Sequence, residues 1–142
     1  MKIGLAADHA GYESKKKIRE VLEEKGYEVI DYGTDTNDSV DYPDFAKALA
    51  KGIQNGEVER GIALCGTGIG ISISLNRHKN IRAALCQTEF EARAARQHNN
   101  ANVLCMGARV LGEGVMFSLI DAYLSTEFEG GRHQRRVEKI EC

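Results

Sequence analysis

The chain has a single proline in 142 residues and no run approaching the roughly 20 apolar residues of a membrane span. Its 15 glycines and one proline are far from a collagen-like composition. Neither sign of charge prevails. Nineteen lysines and arginines stand against 21 acids, a formal net charge of -2, which gives no general attraction to nucleic acid or an anionic membrane. The four cysteines, Cys65, Cys86, Cys105 and Cys142, lack paired metal-ligand spacing, and no H-E-x-x-H occurs. Free thiols in a reducing cytoplasm are the simplest account. Met1-Lys2-Ile3-Gly4 runs straight into a strand pattern, so no secretory leader is expected. No linker, repeat or low-complexity tract divides the chain.

What is present is a globular composition, 42% hydrophobic and 28% charged, at a length that suits one soluble domain over residues 1–142. Folding should bury about two-thirds of the unfolded surface, enough for a real core. Lys2 to Ala7 is a short apolar run leading into Asp8-His9-Ala10-Gly11. Ile18, Val21 and Leu22 recur at helical spacing, and Gly26 closes that helix. Tyr27 to Tyr32 reads as a second strand, and the aspartate-rich stretch Thr34 to Tyr42 as a loop. Pro43 suits a first helical turn, ahead of Phe45, Ala46, Leu49, Ala50 and Ile53. Gly61 to Cys65 is a third strand, followed by a glycine-rich turn and a helix with Ile69, Ile71, Ile73 and Leu75. Ile81 to Cys86 is a fourth strand, and Thr88 or a near neighbour caps a helix reaching about His98. Val103 to Met106 is a fifth strand. Gly112 to Tyr123 is a helix offering Val115, Met116, Leu119, Ile120 and the following Leu124 for packing. A last helix or arm covers about residues 131–142, with Val137 and Ile140 as its apolar contacts.

Short apolar strands alternating with amphipathic helices predict an α/β fold with right-handed crossovers and a mostly parallel five-stranded sheet. Ligands in such sheets bind outside the carboxyl ends of the strands. Three suggestive clusters are expected there: Asp8-His9, Cys65-Gly66-Thr67-Gly68, and His98-Asn99 at the end of the fourth helix.

Cys65-Gly66-Thr67-Gly68-Ile69-Gly70 joins a strand to a helix. Glycines there allow positive φ and close approach of a ligand, and the free N–H groups that follow make a small anion hole. A tight turn whose glycines serve only packing is the alternative. No Lys-Ser/Thr pair closes the run, so it is not a P-loop. A dinucleotide site would use Asp31 for a ribose hydroxyl, but the first turn offers only Gly11. Cys65, at a strand end before a helix, is placed to act as thiolate base or nucleophile, whereas Cys86 and Cys105 read as core residues. His9 and His98 are either site residues or satisfied hydrogen-bonding groups, and His78 falls on a polar stretch. A zinc set of His9, His98 and His133 has no motif behind it. The Asp35–Asp41 loop lacks the glycine and glutamate of an EF-hand. The tail carries Arg132, His133, Arg135, Arg136 and Lys139 after Gly130-Gly131: a solvated helix face, or a clamp for phosphate.

Taken together these motifs resemble the type B ribose-5-phosphate isomerases, in the wider family with galactose-6-phosphate and allose-6-phosphate isomerases. The resemblance spans nearly the whole chain. It includes Asp8-His9-Ala10-Gly11, Asp41-Tyr42-Pro43, Cys65 to Gly70, His98-Asn99, Gly107-Ala108-Arg109 and Glu129-Gly130-Gly131-Arg132-His133. It implies a Rossmann-like three-layer αβα fold and a homodimer, or sometimes a tetramer, with active sites shared across the interface. It also implies interconversion of ribose 5-phosphate and ribulose 5-phosphate, a pentose phosphate pathway reaction, with no metal or organic cofactor. Cys65 would be the base; some relatives carry a glutamate a few residues on, but Ile73-Ser74-Leu75 has no acid. Thr67 would assist proton transfer, Asp8 would hold sugar hydroxyls and help ring opening, and His98 would act on the ring oxygen across the interface. His9, Arg132 and Arg136 would hold the phosphate, with Arg109 joining from the partner subunit. Asn99 and the N–H groups of Gly66, Gly68, Ile69 and Gly70 would steady the enediolate. Asn100, where relatives often have aspartate, and Phe90, often tyrosine, depart from the pattern and leave substrate preference open. A six-carbon sugar phosphate is the nearest rival substrate. A non-catalytic sugar-phosphate-binding domain is the rival of another class, though pure binding needs no reactive thiol.

Overall fold

The computed structural model describes residues 1–141, so Cys142, the last residue of the expected arm, lies outside the described residues. Five strands, β1 (Lys2–Ala7), β2 (Glu28–Asp31), β3 (Arg60–Cys65), β4 (Ala83–Leu85) and β5 (Val103–Gly107), alternate with helices. The helices are α1 (Tyr12–Glu24), α2 (Tyr42–Gln54), α3 (Ile69–Leu75), α4 (Glu89–Asn99), α5 (Glu113–Ser125) and α6 (Arg132–Ile140). The strands form one sheet in the order β2-β1-β3-β5-β4, and every pairing is parallel. The sheet is thus fully rather than mostly parallel.

Local signals explain the element ends. Gly26, at φ +93°, ends α1 in a conformation that favours glycine. Pro43 lies in the first turn of α2. Thr88 caps α4 in a reciprocal box: its Oγ1 accepts from the Glu91 N–H while Glu91 Oε1 accepts from the Thr88 N–H, at 3.2 and 3.1 Å. β4 is shorter than the expected Ile81–Cys86. Ile81 donates its N–H to the His78 carbonyl and the Arg82 N–H goes to Asn102 Oδ1, although the Arg82 carbonyl still accepts from Asn102 and Val103.

One apolar cluster packs α1, α4 and α5 against one sheet face through Ile18, Leu22, Ala92, Ala95, Leu119 and Ile120. The other packs α2 and α3 on the opposite face through Ala46, Leu49, Ile71 and Leu75. The result is a three-layer αβα sandwich, with α6 laid along α4. Helical periodicity overstated some contacts. Val115 and Ile140 are 45% and 58% exposed, while their neighbours Met116 and Val137 are buried. Among the described residues no helix is long and apolar enough to cross a membrane.

Asp31 is engaged by the fold itself. Lys15, 1% exposed, places Nζ 2.5 and 2.6 Å from the two Asp31 carboxylate oxygens, and Oδ1 also accepts the Gly33 N–H at 2.8 Å. The carboxylate that a dinucleotide site would need for a ribose is therefore tied to a buried ammonium. Asp31→Asn should lower the unfolding free energy by about 3 kcal/mol, because it leaves a buried charge uncompensated. Urea unfolding checks this, and a variant as stable as the parent would contradict it.

Candidate active site

β1 and β3 are neighbours whose following helices, α1 and α3, pack on opposite sheet faces. The loops therefore part at the carboxyl edge and leave a crevice, the usual ligand position in an open parallel sheet. Asp8 follows β1 into it. It is nearly buried, and its Oδ1 accepts the N–H groups of Ala10 and Gly11 at 3.0 and 3.3 Å, which fixes the carboxylate. His9 beside it accepts the Val40 N–H on Nδ1 at 3.2 Å, so in the neutral ring Nε2 carries the proton.

Cys65 is the last residue of β3, and its Sγ accepts the Gly68 N–H at 3.1 Å. Gly68 sits at φ +79°, where an added Cβ would lie 2.6 Å from Leu85 Cδ1 and 2.8 Å from the Met106 carbonyl carbon. Only glycine brings that amide to the sulfur. Thr67 is exposed, and its Oγ1 accepts the Ile69 N–H at 3.2 Å, so its own proton remains free to be donated. The other two described thiols are unsuited to acid–base work. Burial, then the Glu91 charge, pushes Cys86 up to about 12, and burial raises Cys105 well above the usual thiol range.

Arg109 follows β5 on the same edge. Its N–H donates to the Gly66 carbonyl at 2.9 Å, and its guanidinium lies over Gly66, 3.2 Å from where a Cβ would be. Asp8, His9, Asp41, Tyr42, Asp44 and Arg109 line a cleft of about 590 Å³. Arg109 therefore stands beside its own chain's Cys65 turn.

The structure also corrects the placement of His98-Asn99. A helix leaving the carboxyl edge after β4 runs back across the sheet, so the last turn of α4 lies at the amino edge. Asn102, just beyond it, accepts the N–H of Gly61 at the start of β3. His98, Asn99, Arg132 and Arg136 thus form a second group, away from Asp8, Cys65 and Thr67 within one chain. The His98 and His133 rings stack with centroids 4.6 Å apart, joining α4 to α6. Arg132 and Arg136 are exposed on α6. Asn100 caps α4 at φ +47° with its Oδ1 on Arg96 Nη1, and asparagine tolerates that left-handed position. Phe90 is 72% exposed at the start of α4.

Two site neighbours appear in the resembling motifs without a role assigned from the sequence. The Tyr42 ring lies over Gly70, 2.6 Å from the position of an added Cβ, and so walls the turn; nothing in the sequence links positions 42 and 70. Glu129, with Oε1 3.5 Å from His133 Nε2, joins the histidine pair; its i,i+4 spacing to His133 was the available signal.

The family model described as Ribose/Galactose Isomerase matches residues 3–140. The chain belongs to this family. The ribose-5-phosphate isomerase B of Escherichia coli (strain K12) is 46% identical over 139 residues, covering 98% of this chain and 93% of that one. The solved structure of Clostridium thermocellum ribose-5-phosphate isomerase B superposes with a TM-score of 0.98 at 50% identity, covering 99% of this chain and 95% of the other. That of a Thermotoga maritima ribose 5-phosphate isomerase gives 0.97 at 51% identity, covering 99% and 97%. The chain is an isomerase with the fold of these structures.

Proposed function

We propose that the protein interconverts ribose 5-phosphate and ribulose 5-phosphate without a cofactor, through an enediolate, with Cys65 as the base. The observation that carries this reading is the Cys65 sulfur at the mouth of the β1/β3 crevice, holding the Gly68 N–H beside Asp8, Thr67 and Arg109. The substrate follows the names of the relatives in Escherichia coli, Clostridium thermocellum and Thermotoga maritima. The described free thiols Cys65, Cys86 and Cys105 suit a reducing cytoplasm.

In the open-chain aldose, the Cys65 thiolate takes the proton from C2 as O1 gains one, giving an enediol or enediolate. O2 then yields its proton, and the thiol returns its own to C1, leaving the ketose. Thr67 passes protons between the two oxygens. The Gly68 and Ile69 amides already hold Cys65 and Thr67, so those of Gly66, Thr67 and Gly70 serve the developing oxyanion. Asp8, fixed by two N–H groups, holds sugar hydroxyls during ring opening. His9 and Arg109, both lining the cleft, donate to the phosphate.

His98, Asn99, Arg132 and Arg136 lie at the other edge, so the full set meets only when a second copy brings its amino edge to this crevice. A homodimer supplies two such sites. Ile69, Ile73 and Phe90, exposed by 51%, 61% and 72%, give the carboxyl edge apolar surface suited to that contact.

Arg132 and Arg136 stand at i,i+4 on α6, and Arg135 is one position off that pair. Each charge-assisted hydrogen bond to phosphate is worth about 1.5–3 kcal/mol. Arg132→Ala and Arg136→Ala should each raise KM for ribose 5-phosphate about tenfold or more, while Arg135→Ala changes little. Steady-state kinetics of the three variants, with inhibition by inorganic phosphate, test this. Equal damage at Arg135, or none at the other two, would leave α6 a solvated helix.

A further inference from the structure

We infer that His98, Glu129 and His133 form a binding site for a divalent transition-metal ion, with zinc as the best match. The three donors come from two elements that the fold pins together. The Glu129 N–H donates to the Gln97 carbonyl at 3.1 Å, and the His133 N–H donates to Gly130 at 3.0 Å. Gly130 and Gly131, at φ +69° and +57°, turn the chain so that Glu129 faces the first turn of α6. One ligand atom from each of the three side chains lies within 4.8 Å of the others.

Two imidazoles and one carboxylate are a borderline-soft donor set that suits zinc and leaves a fourth position open. With bonds near 2.0–2.1 Å, tetrahedral ligand atoms stand about 3.3 Å apart; Glu129 Oε1 and His133 Nε2 are already 3.5 Å apart, and the widest separation must contract by up to about 1.5 Å. His133 is buried and is the fixed member; His98 and Glu129 are exposed and can rotate to it. The site lies at the C-terminal end of α4, where the helix dipole favours a cation. Arg132 and Arg136 on α6 oppose it, so the ion binds reversibly rather than as a permanent structural metal. The His9 of the zinc set considered from sequence lies at the other sheet edge, and Glu129 takes its place.

An ion held here removes His98 from the isomerase reaction. That consequence rests on the role proposed for His98, whereas binding does not. The test is calorimetric titration of zinc chloride into chelator-stripped protein, paired with isomerase assays over the same zinc range. Wild type should bind one zinc per chain, weakened at least about tenfold by Glu129→Gln and lost in His133→Gln, while His78→Gln binds as wild type. Glu129 is half exposed, so its variant carries the test even if His133→Gln is unstable. Zinc should inhibit wild type, EDTA should restore activity, and Glu129→Gln should need about tenfold more zinc for the same inhibition. Wild-type binding by Glu129→Gln and a folded His133→Gln would place the ion elsewhere, on thiols for instance, and overturn the site. No binding by wild type overturns it too. The expected binding without inhibition supports the site and counts against the role of His98 in turnover.

Discussion

Cys65→Ala is expected to lower kcat for ribose 5-phosphate by about 10²–10⁴-fold, the range for losing a general base, and to leave substrate binding largely intact. The sulfur is proposed to act at C1 and C2, while the proposed phosphate donors His9, Arg132 and Arg136 come from other elements and only Arg109 stands beside the Cys65 turn. Removing it should therefore stop chemistry without releasing the phosphate. Cys105 is the internal control. It is fully buried on β5, and burial holds its thiol protonated, so Cys105→Ala costs some stability but keeps kcat near wild type. Cys65→Ser separates shape from acidity: the hydroxyl can take the place of Sγ at the Gly68 N–H, but it is too weak an acid to supply the base. It should fall with Cys65→Ala. Retention by Cys65→Ala of more than about a tenth of wild-type kcat would remove Cys65 from the role of base.

Mixing two dead proteins is expected to restore activity. Cys65→Ala and His98→Ala are each expected to be nearly inactive alone. If a site takes Cys65 from one copy and His98 from the other, a heterodimer places both lesions in one site and leaves the second intact. With complete exchange of an equal mixture, half the dimers are mixed, so about a quarter of wild-type activity returns. The physical ground is the separation of the two groups: Cys65 closes β3 at the carboxyl edge, and His98 lies in the last turn of α4 at the amino edge. No recovery, despite exchange demonstrated with differently tagged chains, would contradict the shared site.

Much of this architecture was legible in the sequence, because local physics specified it. The apolar runs from Lys2 and Gly61, the proline opening α2 and the Thr88–Glu91 box each act over a few residues. The glycine turn was legible for the same reason. What it did not reveal was contact between distant elements. The meeting of Arg109 with Gly66, and of Tyr42 with Gly70, depends on strand order and register, which no local signal encodes. The misplacement of His98 had a different origin. Helical spacing marks where α4 ends, but a crossover helix carries that end to the edge opposite the strand end it started from. Val115 and Ile140 show the limit of periodicity: it identified apolar residues near a buried stripe, but not its width. The buried Lys15–Asp31 pair had no pattern at all, since a lysine amid a charged helix reads as solvated.

The central claim, proton transfer between C1 and C2 of ribose 5-phosphate at a metal-free thiol site, is tested most directly by one isotope experiment. Purified protein in D2O with excess EDTA is given ribose 5-phosphate, with allose 6-phosphate and galactose 6-phosphate in parallel, and the products are followed by NMR. The account predicts turnover of ribose 5-phosphate in preference to the six-carbon sugars, with deuterium entering C1 of ribulose 5-phosphate in the fraction of turnovers in which the Cys65 thiol exchanges with solvent before returning its proton. Failure to turn over ribose 5-phosphate, or activity returning only with a divalent ion, would contradict it.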